Sequence, residues 1–476
     1  MKCCQQFLTV SHRATILGLL LLSGCAAVGP DYQRPDAPLP TDYPEAAGTA
    51  GPAAPAAPME QRWWTLFHDP ALDRLIEQAL IDNQDLQLAV SRVAEAEAVV
   101  REARAAFYPA IDLAAGDNRS RSAKTATSGP IVQNRHTLTL STAFELDVWG
   151  RLRRANESAL AQALASRYAR DTVRLSIAGL TANQYLTLRA YDAQLAVTQD
   201  TIKSREGSLH IVRNRVEAGL VSPLDLHQSE GSLAAAKAQL ASLRQQRALV
   251  EHQLALLVGE PGLTISPGDL SQLPLPPPPP SGLPSKLLEA RPDVRQTEQE
   301  LVAANAEIGV AKAAFFPTIS LTGSLGAQSP ELNDLLSRPA NTWSMGWELV
   351  TPLFDAGRIV AQVDQATARR EQAVAHYRKT VQTAFKEVND ALASLRENAN
   401  GEQAQAAQVE AAKKTLRLAR VRYEAGYSGY LEVLDAERTV NDALLSHIAT
   451  RQSRLIATVD LFKALGGGWE GDVGQW

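Results

Sequence analysis

Hydrophobic and polar side chains alternate, residue by residue, in four short stretches of this chain. Leu138, Leu140, Phe144, Leu146 and Val148 interleave with Thr137, Thr139, Ser141, Glu145 and Asp147. Ile319, Leu321 and Leu325 interleave with Ser320, Thr322 and Ser324, and Trp343, Met345, Trp347 and Leu349 with Thr342, Ser344, Gly346 and Glu348. Ile111, Leu113 and Ala115 give a weaker fourth stretch. Period-two alternation turns one face of a strand to apolar surroundings and the other to water. Strands of about 9–11 such residues also cross membranes in barrels, so the pattern fits a half-buried soluble strand or a lipid-facing one.

The remaining sequence predicts helices. Gly150 to Ala218 contains no proline and little glycine, and Gly357 to Ala425 repeats this over the same length. Each predicts a helix roughly 100 Å long at about 1.5 Å per residue, far beyond the usual three turns of a globular helix. Flanking helices are expected over about 71–106, 224–258, 285–314 and 431–465. Two of these end to end match one long helix, which predicts a rod with the strands gathered at one end.

The chain repeats itself. "ARAAFYPAIDLAA" (Ala103 to Ala115) returns as "AKAAFFPTISLTG" (Ala311 to Gly323). "DVWGR" at Asp147 returns as "FDAGR" at Phe354, and "RVEAGLVSPLDL" at Arg215 as "RYEAGYSGYLEV" at Arg422. Three blocks in one order, at offsets of about 207 to 209, establish an internal duplication. The copies are 63–260 (strands about 110–119 and 137–148, turn 219–223) and 285–465 (strands about 318–327 and 342–353, turn 426–430). A Pro-rich linker, 261–284, joins them as a stiff connector. Segment 25–62 reads as a Pro/Ala-rich tether, and 466–476 as a tail. The fold class is mainly α with a small β part. Four strands cannot close a membrane barrel, for which about eight is the minimum. Copies must therefore pool strands, eight in a dimer or twelve in a trimer, and only the wider ring suits a hollow helical tube.

Composition narrows the picture. The 476 residues are 45% hydrophobic but only 5% aromatic, which suits narrow helix seams. The formal charge of −5 carries no footprint for nucleic acid. Lys2, His12 and Arg13 precede an apolar run from Ala14 to Leu22, too short to span a bilayer and typical of a secretory leader over residues 1–24. No later stretch of 18 or more apolar residues follows, so no membrane helix is expected. Walker A, H-E-x-x-H and G-x-S-x-G motifs are absent and the eight His are scattered, so neither an enzyme nor a metal site is expected.

"LSGC" (Leu22 to Cys25) resembles the lipobox of bacterial lipoproteins, in which Cys25 becomes the first residue. The resemblance implies an S-diacylglycerol and an N-acyl chain on Cys25, an outer membrane address and no other cofactor. Cys3 and Cys4 leave with the leader, which excludes an intrachain disulfide. Trp63 and Trp64, "FHDPALDRLIEQAL" (Phe67 to Leu80), "ARPDVRQTEQELVAANAEIGVAKAAFFPTISL" (Ala290 to Leu321) and "RYEAGYSGYLEVLDAER" (Arg422 to Arg438) resemble the lipoprotein, NodT-type branch of the TolC-like outer membrane factors. This implies a homotrimer with an α-helical barrel continuous with a shared twelve-stranded β-barrel. It also implies partners: a periplasmic adaptor and an inner membrane transporter, of resistance–nodulation–division type in this branch. The implied function is the exit duct of a tripartite efflux pump, gated like an iris at a periplasmic tip.

The tip residues then acquire expected roles. By the resemblance, Asp225 and Tyr423 match positions linked across neighbouring coils, and Glu432 and Asp435 match acidic positions at the constriction. The basic residue expected just after Gly426 is missing, with Tyr427 and Ser428 in its place; Arg420 and Arg422 are the candidates to replace it. The turns holding Gly219, Leu220, Ser222, Gly426, Tyr427 and Ser428 are expected to meet the adaptor. Read without the resemblance, Gly219 and Gly426 are helix-ending C′ residues. Ser222, Pro223 and Asp225 fit an N-cap, N1 and N3, with Asp225 closing a capping box, while Glu432 and Asp435 are solvated charges on one helix face. Trp343 and Trp347 fit an aromatic girdle in a barrel or buried indoles in a soluble sheet. Trp63 and Trp64 are expected to anchor the N-terminal segment.

Overall fold

The computed structural model describes residues 27–36, 38–40, 43–46, 62–123, 130–277 and 291–467. The leader, Cys25, much of the tether, the end of the Pro-rich connector, the first residues of the second copy (285–290) and most of the tail lie outside the described residues. In order, the elements are α1 (Pro70–Asp82), α2 (Gln84–Ala105), β1 (Ala110–Arg121), β2 (Val132–Glu145), α3 (Arg151–Glu217) and α4 (Pro223–Val258). The second copy gives α5 (Pro292–Ala313), β3 (Thr318–Ser329), β4 (Asn341–Val350), α6 (Arg358–Glu424) and α7 (Tyr430–Ala464). Both long helices, α3 and α6, hold 67 residues without a break.

Local chemistry moved several boundaries. The expected helix over 71–106 is two helices, because Asn83 leaves helical geometry at φ −64°, ψ 127°. Its Oδ1 accepts from the Asp85 and Leu86 amides at 2.9 and 3.2 Å, capping α2, and its Nδ2 donates to the Leu257 carbonyl at 2.9 Å. Strand β2 runs 132–145 rather than 137–148. Asp147 instead caps α3, accepting from the Leu152 and Arg153 amides at 2.9 Å each. Likewise β4 ends at Val350 rather than 353. Asp355 accepts from the Gly357 and Ile359 amides and starts α6, and these bonds hold its carboxyl below the usual aspartate range.

The four strands form one antiparallel sheet in the order β1-β2-β3-β4. Each copy supplies a hairpin, and β2 joins β3 from His136↔Ser329 to Glu145↔Ser320. By contacts the chain divides into two compact units: 1–36, 92–167 and 296–378, and 37–91, 168–295 and 379–476. In the first, residues 27–34 form a strap against the helix ends beside the sheet. The Val28 amide donates to the Trp149 carbonyl at 2.9 Å, and Asn305 Nδ2 donates to the Pro30 carbonyl at 2.8 Å. Arg34 Nη2 reaches Glu298 at 3.0 Å. A Cβ built on Gly29 would lie 2.6 Å from Gly309 Cα, so the two backbones touch where only glycine fits.

In the second unit the core gathers Trp63, Phe67, Leu72, Ile76, Tyr185, Leu186, Leu254, Leu270 and Leu455, all fully covered. Trp63 stacks on Phe462 at 5.6 Å, which seats the segment before α1. Asp192 accepts from Arg189, Arg247 and the Gly268 amide, tying the chain after α4 to α3. Arg451 donates to the Leu273 carbonyl at 2.9 Å and pins the start of the connector to α7.

Candidate functional site

Two regions carry features that the core does not need. The first is the sheet. Because its registers are unbroken, alternate residues fall on opposite faces across all four strands. One cross-strand row reads Leu113, Leu140, Leu325, Trp343, and another joins Phe144, Leu321 and Trp347. The opposite face carries Thr139, Ser141, Thr322, Ser324, Thr342, Ser344 and Gly346. Ser324 and Ser344 hydroxyls meet at 2.7 Å. Trp343, Met345 and Trp347 are 79%, 86% and 71% exposed, so within one chain the apolar face is uncovered and the indoles are not buried. Strands β1 and β4 are both edges, each with a free row of backbone donors and acceptors.

The second region lies where α3 meets α4 and α6 meets α7. The two turns share one geometry. Gly219 and Gly426 have φ of +70° and +79°. The Leu220 amide bonds the Arg215 carbonyl and the Tyr427 amide the Arg422 carbonyl, each at 2.8 Å. Gly219 and Gly426 also bond back to the carbonyls of Val216 and Tyr423. These are paired Schellman closures, in which glycine alone takes the left-handed position without strain. Leu220 and Tyr427 project outward, 72% and 81% exposed. The Ser222 hydroxyl accepts from the Leu224 amide at 3.1 Å and caps α4. Asp225 does not complete a capping box: among the described residues its carboxylate accepts no hydrogen bond. The Ser428 hydroxyl is buried and has no partner among the described residues.

The expected Asp225–Tyr423 link is not made within the chain. The Tyr423 ring packs on Tyr430 at 5.5 Å with the Arg215 guanidinium over it at 4.8 Å, and its buried hydroxyl makes no hydrogen bond among the described residues. The ring joins an apolar layer with Val212, Ala419, Val433 and Leu434. Glu432 lies 3.6 Å from Arg422 in a mostly solvated pair, and Asp435 is exposed.

Above that layer sits a polar cluster joining α3, α4, α6 and α7. Arg420 Nη2 donates to Glu437 Oε1 at 2.8 Å and to the Ser204 hydroxyl at 2.7 Å. The Ser208 hydroxyl reaches the same Glu437 oxygen at 3.4 Å, while the buried Glu437 Oε2 has no partner among the described residues. Thr201 donates to Asn441 Oδ1 at 3.1 Å, and the Tyr430 hydroxyl to that of Ser229 at 3.3 Å. Arg205 is buried with one bond, to the Ser232 carbonyl at 2.6 Å; burial lowers its pKa, against the pull of nearby Glu437. A cavity of about 200 Å³ opens here, lined by Thr201, Ser204, Arg205, Arg420, Glu437 and Asn441 among others. Of the two candidate basic residues, Arg420 thus serves the buried cluster and Arg422 the solvent face. Glu437 and Arg205 were missed from sequence, yet each leaves a signal. Glu437 falls on the buried stripe Tyr430, Val433, Leu434, Glu437, Asn441, and Arg205 on the stripe Ile202, Arg205, Leu209, Val212.

No helix among the described residues is long and apolar enough to cross a membrane, and no group of His, Cys, Asp or Glu there could hold a metal ion. A family model described as "Outer membrane efflux protein" matches residues 75–260 and 283–467, one match per copy. The chain is 37% identical to the probable efflux pump outer membrane protein TtgC of Pseudomonas putida over 98% of both chains. It is 35% identical to the outer membrane protein OprJ of Pseudomonas aeruginosa over 95% of both. Among solved structures it resembles the outer-membrane channel OprN (29% identity, TM-score 0.87, 93% of this chain and 100% of that one). It also resembles the open-state MtrE outer membrane channel of Neisseria gonorrhoeae (30% identity, TM-score 0.82, 94% and 100%). By the family match over both copies and these near full-length relatives, the chain belongs to the outer membrane efflux protein family.

Proposed function

We propose that this chain forms the outer membrane exit duct of an efflux pump, three copies pooling their strands into a twelve-stranded barrel. The observation that carries this reading is the sheet. One face is apolar and uncovered, the other is lined with small polar side chains, and both edges are open. Since β1 and β4 run antiparallel, β4 of one copy can pair with β1 of the next and close a ring without an edge. The polar face then lines a wide aqueous lumen, while Trp343 and Trp347 face lipid. Cys25, outside the described residues, would carry the lipid that anchors the strap.

The duct supplies no energy. Its tip, built from the two Schellman turns and the polar cluster, is the proposed gate. Leu220 and Tyr427 offer apolar contacts to a periplasmic adaptor, which couples the duct to an inner membrane transporter of the resistance–nodulation–division type. Glu432 and Asp435, repeated in three copies, would ring the entrance with carboxylates and favour cations. The test is planar-bilayer conductance of the full-length protein, with Ser344→Arg on the polar face and Met345→Arg on the apolar face. The reading expects Ser344→Arg to insert with altered ion selectivity. Met345→Arg should fail to insert, since arginine on the lipid face costs about 2–4 kcal/mol near the midplane. Equal effects of the two substitutions would refute the assignment of faces.

A further inference from the structure

The apolar face of β1 changes character along the strand. Ile111, Leu113 and Ala115 are followed, on the same face, by Asp117, Arg119 and Arg121. The unbroken pairing of Ala110↔Ala143 through Arg121↔Val132 carries the alternation through to the end, so no bulge turns these arginines to the other side. The strand leaves α2 at Ala110, so Arg119 and Arg121 lie at the end far from the helices. Arg119 is four residues past Ala115, about 13 Å along the strand, and Arg121 roughly 7 Å further. Both are exposed, and among the described residues neither has an acidic partner. Asp117, two residues before Arg119, faces His136 Nδ1 at 3.3 Å on the paired strand. Arg135, which pairs with Asn118, lies on the polar face of the same hairpin.

We propose that Arg119 and Arg121 form a binding site for the phosphate groups of the glycolipid in the outer leaflet. The inference rests on the barrel reading above, which puts their face toward lipid and their end of the strand at the outer surface. Two guanidinium groups just beyond an apolar band meet the membrane at headgroup level. Arginine suits phosphate there because its planar fork donates two parallel hydrogen bonds and stays charged. The site fixes the barrel's depth in the membrane and holds ordered lipid beside the β1–β2 hairpin.

Native mass spectrometry of the full-length protein, titrated with bisphosphorylated lipid A, tests this against dephosphorylated lipid A and inorganic phosphate. Arg119→Gln combined with Arg121→Gln is expected to weaken binding of the bisphosphorylated lipid about tenfold. Arg135→Gln should leave it unchanged, dephosphorylated lipid A should bind all variants weakly, and millimolar phosphate should not displace the lipid. The proposal is overturned if the double variant binds like the wild type, if Arg135→Gln weakens binding as much, or if free phosphate competes. Bilayer conductance of the same samples separates the two readings. A wild type that conducts but binds no lipid A sinks this site alone, whereas a wild type that never inserts sinks the barrel and the site together.

Discussion

Removing the Arg420 side chain would take from the Glu437 carboxylate, covered by four helices, its one ion pair among the described residues, with Arg205 the cation left nearby. The Glu437 side chain is 5% exposed and that of Arg420 42%. Losing one partner of a fully buried pair costs about 3–5 kcal/mol, but the half-exposed guanidinium already shares its charge with water, which brings this to about 1–3 kcal/mol. The arrangement that relieves the strain is one in which α7 moves off α3 and lets water reach Glu437. A bias of about 1–3 kcal/mol shifts that equilibrium roughly 5- to 150-fold. Arg420→Ala should therefore raise the mean conductance of the full-length protein in planar bilayers. It should also sensitise cells to a large antibiotic that the closed duct excludes. The decisive comparison is Arg420→Ala with Glu437→Gln. A neutral amide has no charge to desolvate, so the double variant should conduct less than Arg420→Ala alone, a coupling that a double-mutant cycle measures directly. If the double variant conducts as much as the sum of the two singles, or more, the buried charge does not hold the tip.

Three further outcomes follow from the same geometry. Because the Tyr423 hydroxyl has no partner among the described residues, Tyr423→Phe should change tip conductance and thermal stability little, whereas Tyr423→Ala should lose about 3–4 kcal/mol by emptying the apolar layer, read from thermal unfolding. Gly219→Ala and Gly426→Ala should each destabilise by about 1 kcal/mol through backbone strain alone, since no atom lies within 4 Å of either Cβ; hydrogen exchange at the two turns should rise equally. Burial pushes the Glu402 carboxyl up, but bonds from Arg454 and Arg451 outweigh it and hold it below the ordinary glutamate value. Its folded pKa is thus the lower one: its contribution is complete above about pH 4.3 and is lost as pH falls further, so Glu402→Gln should flatten an acid-unfolding curve in that range only.

Much of this was legible in the sequence, for identifiable reasons. The long helices show because 67 residues without proline admit little else, and the sheet faces show because alternation is local. The duplication shows because Gly219 and Gly426 are needed for the same turn. The break at Asn83 was hidden, since the carbonyl that completes it belongs to Leu257, far along the chain. The end of β2 was misplaced because Asp147 continues the alternation while serving as a helix cap. At the tip, a resemblance to relatives points to Asp225 and Tyr423, while the cluster that forms within the chain centres on Glu437. Arg420 and Ser204 are 216 residues apart, and no local pattern pairs them. Only a charge on an apolar stripe hinted at it.

The strap has a consequence for how the chain is made. Residues 27–34 are synthesised early, yet their seats are Trp149, Asn305, Glu298 and Tyr377. The bond from Arg34 to Tyr377 spans 343 residues. At about 5–20 residues per second of synthesis, the chain's beginning waits on the order of tens of seconds for its partners to exist. So long a gap between synthesis and docking makes seating of the strap a late checkpoint on assembly.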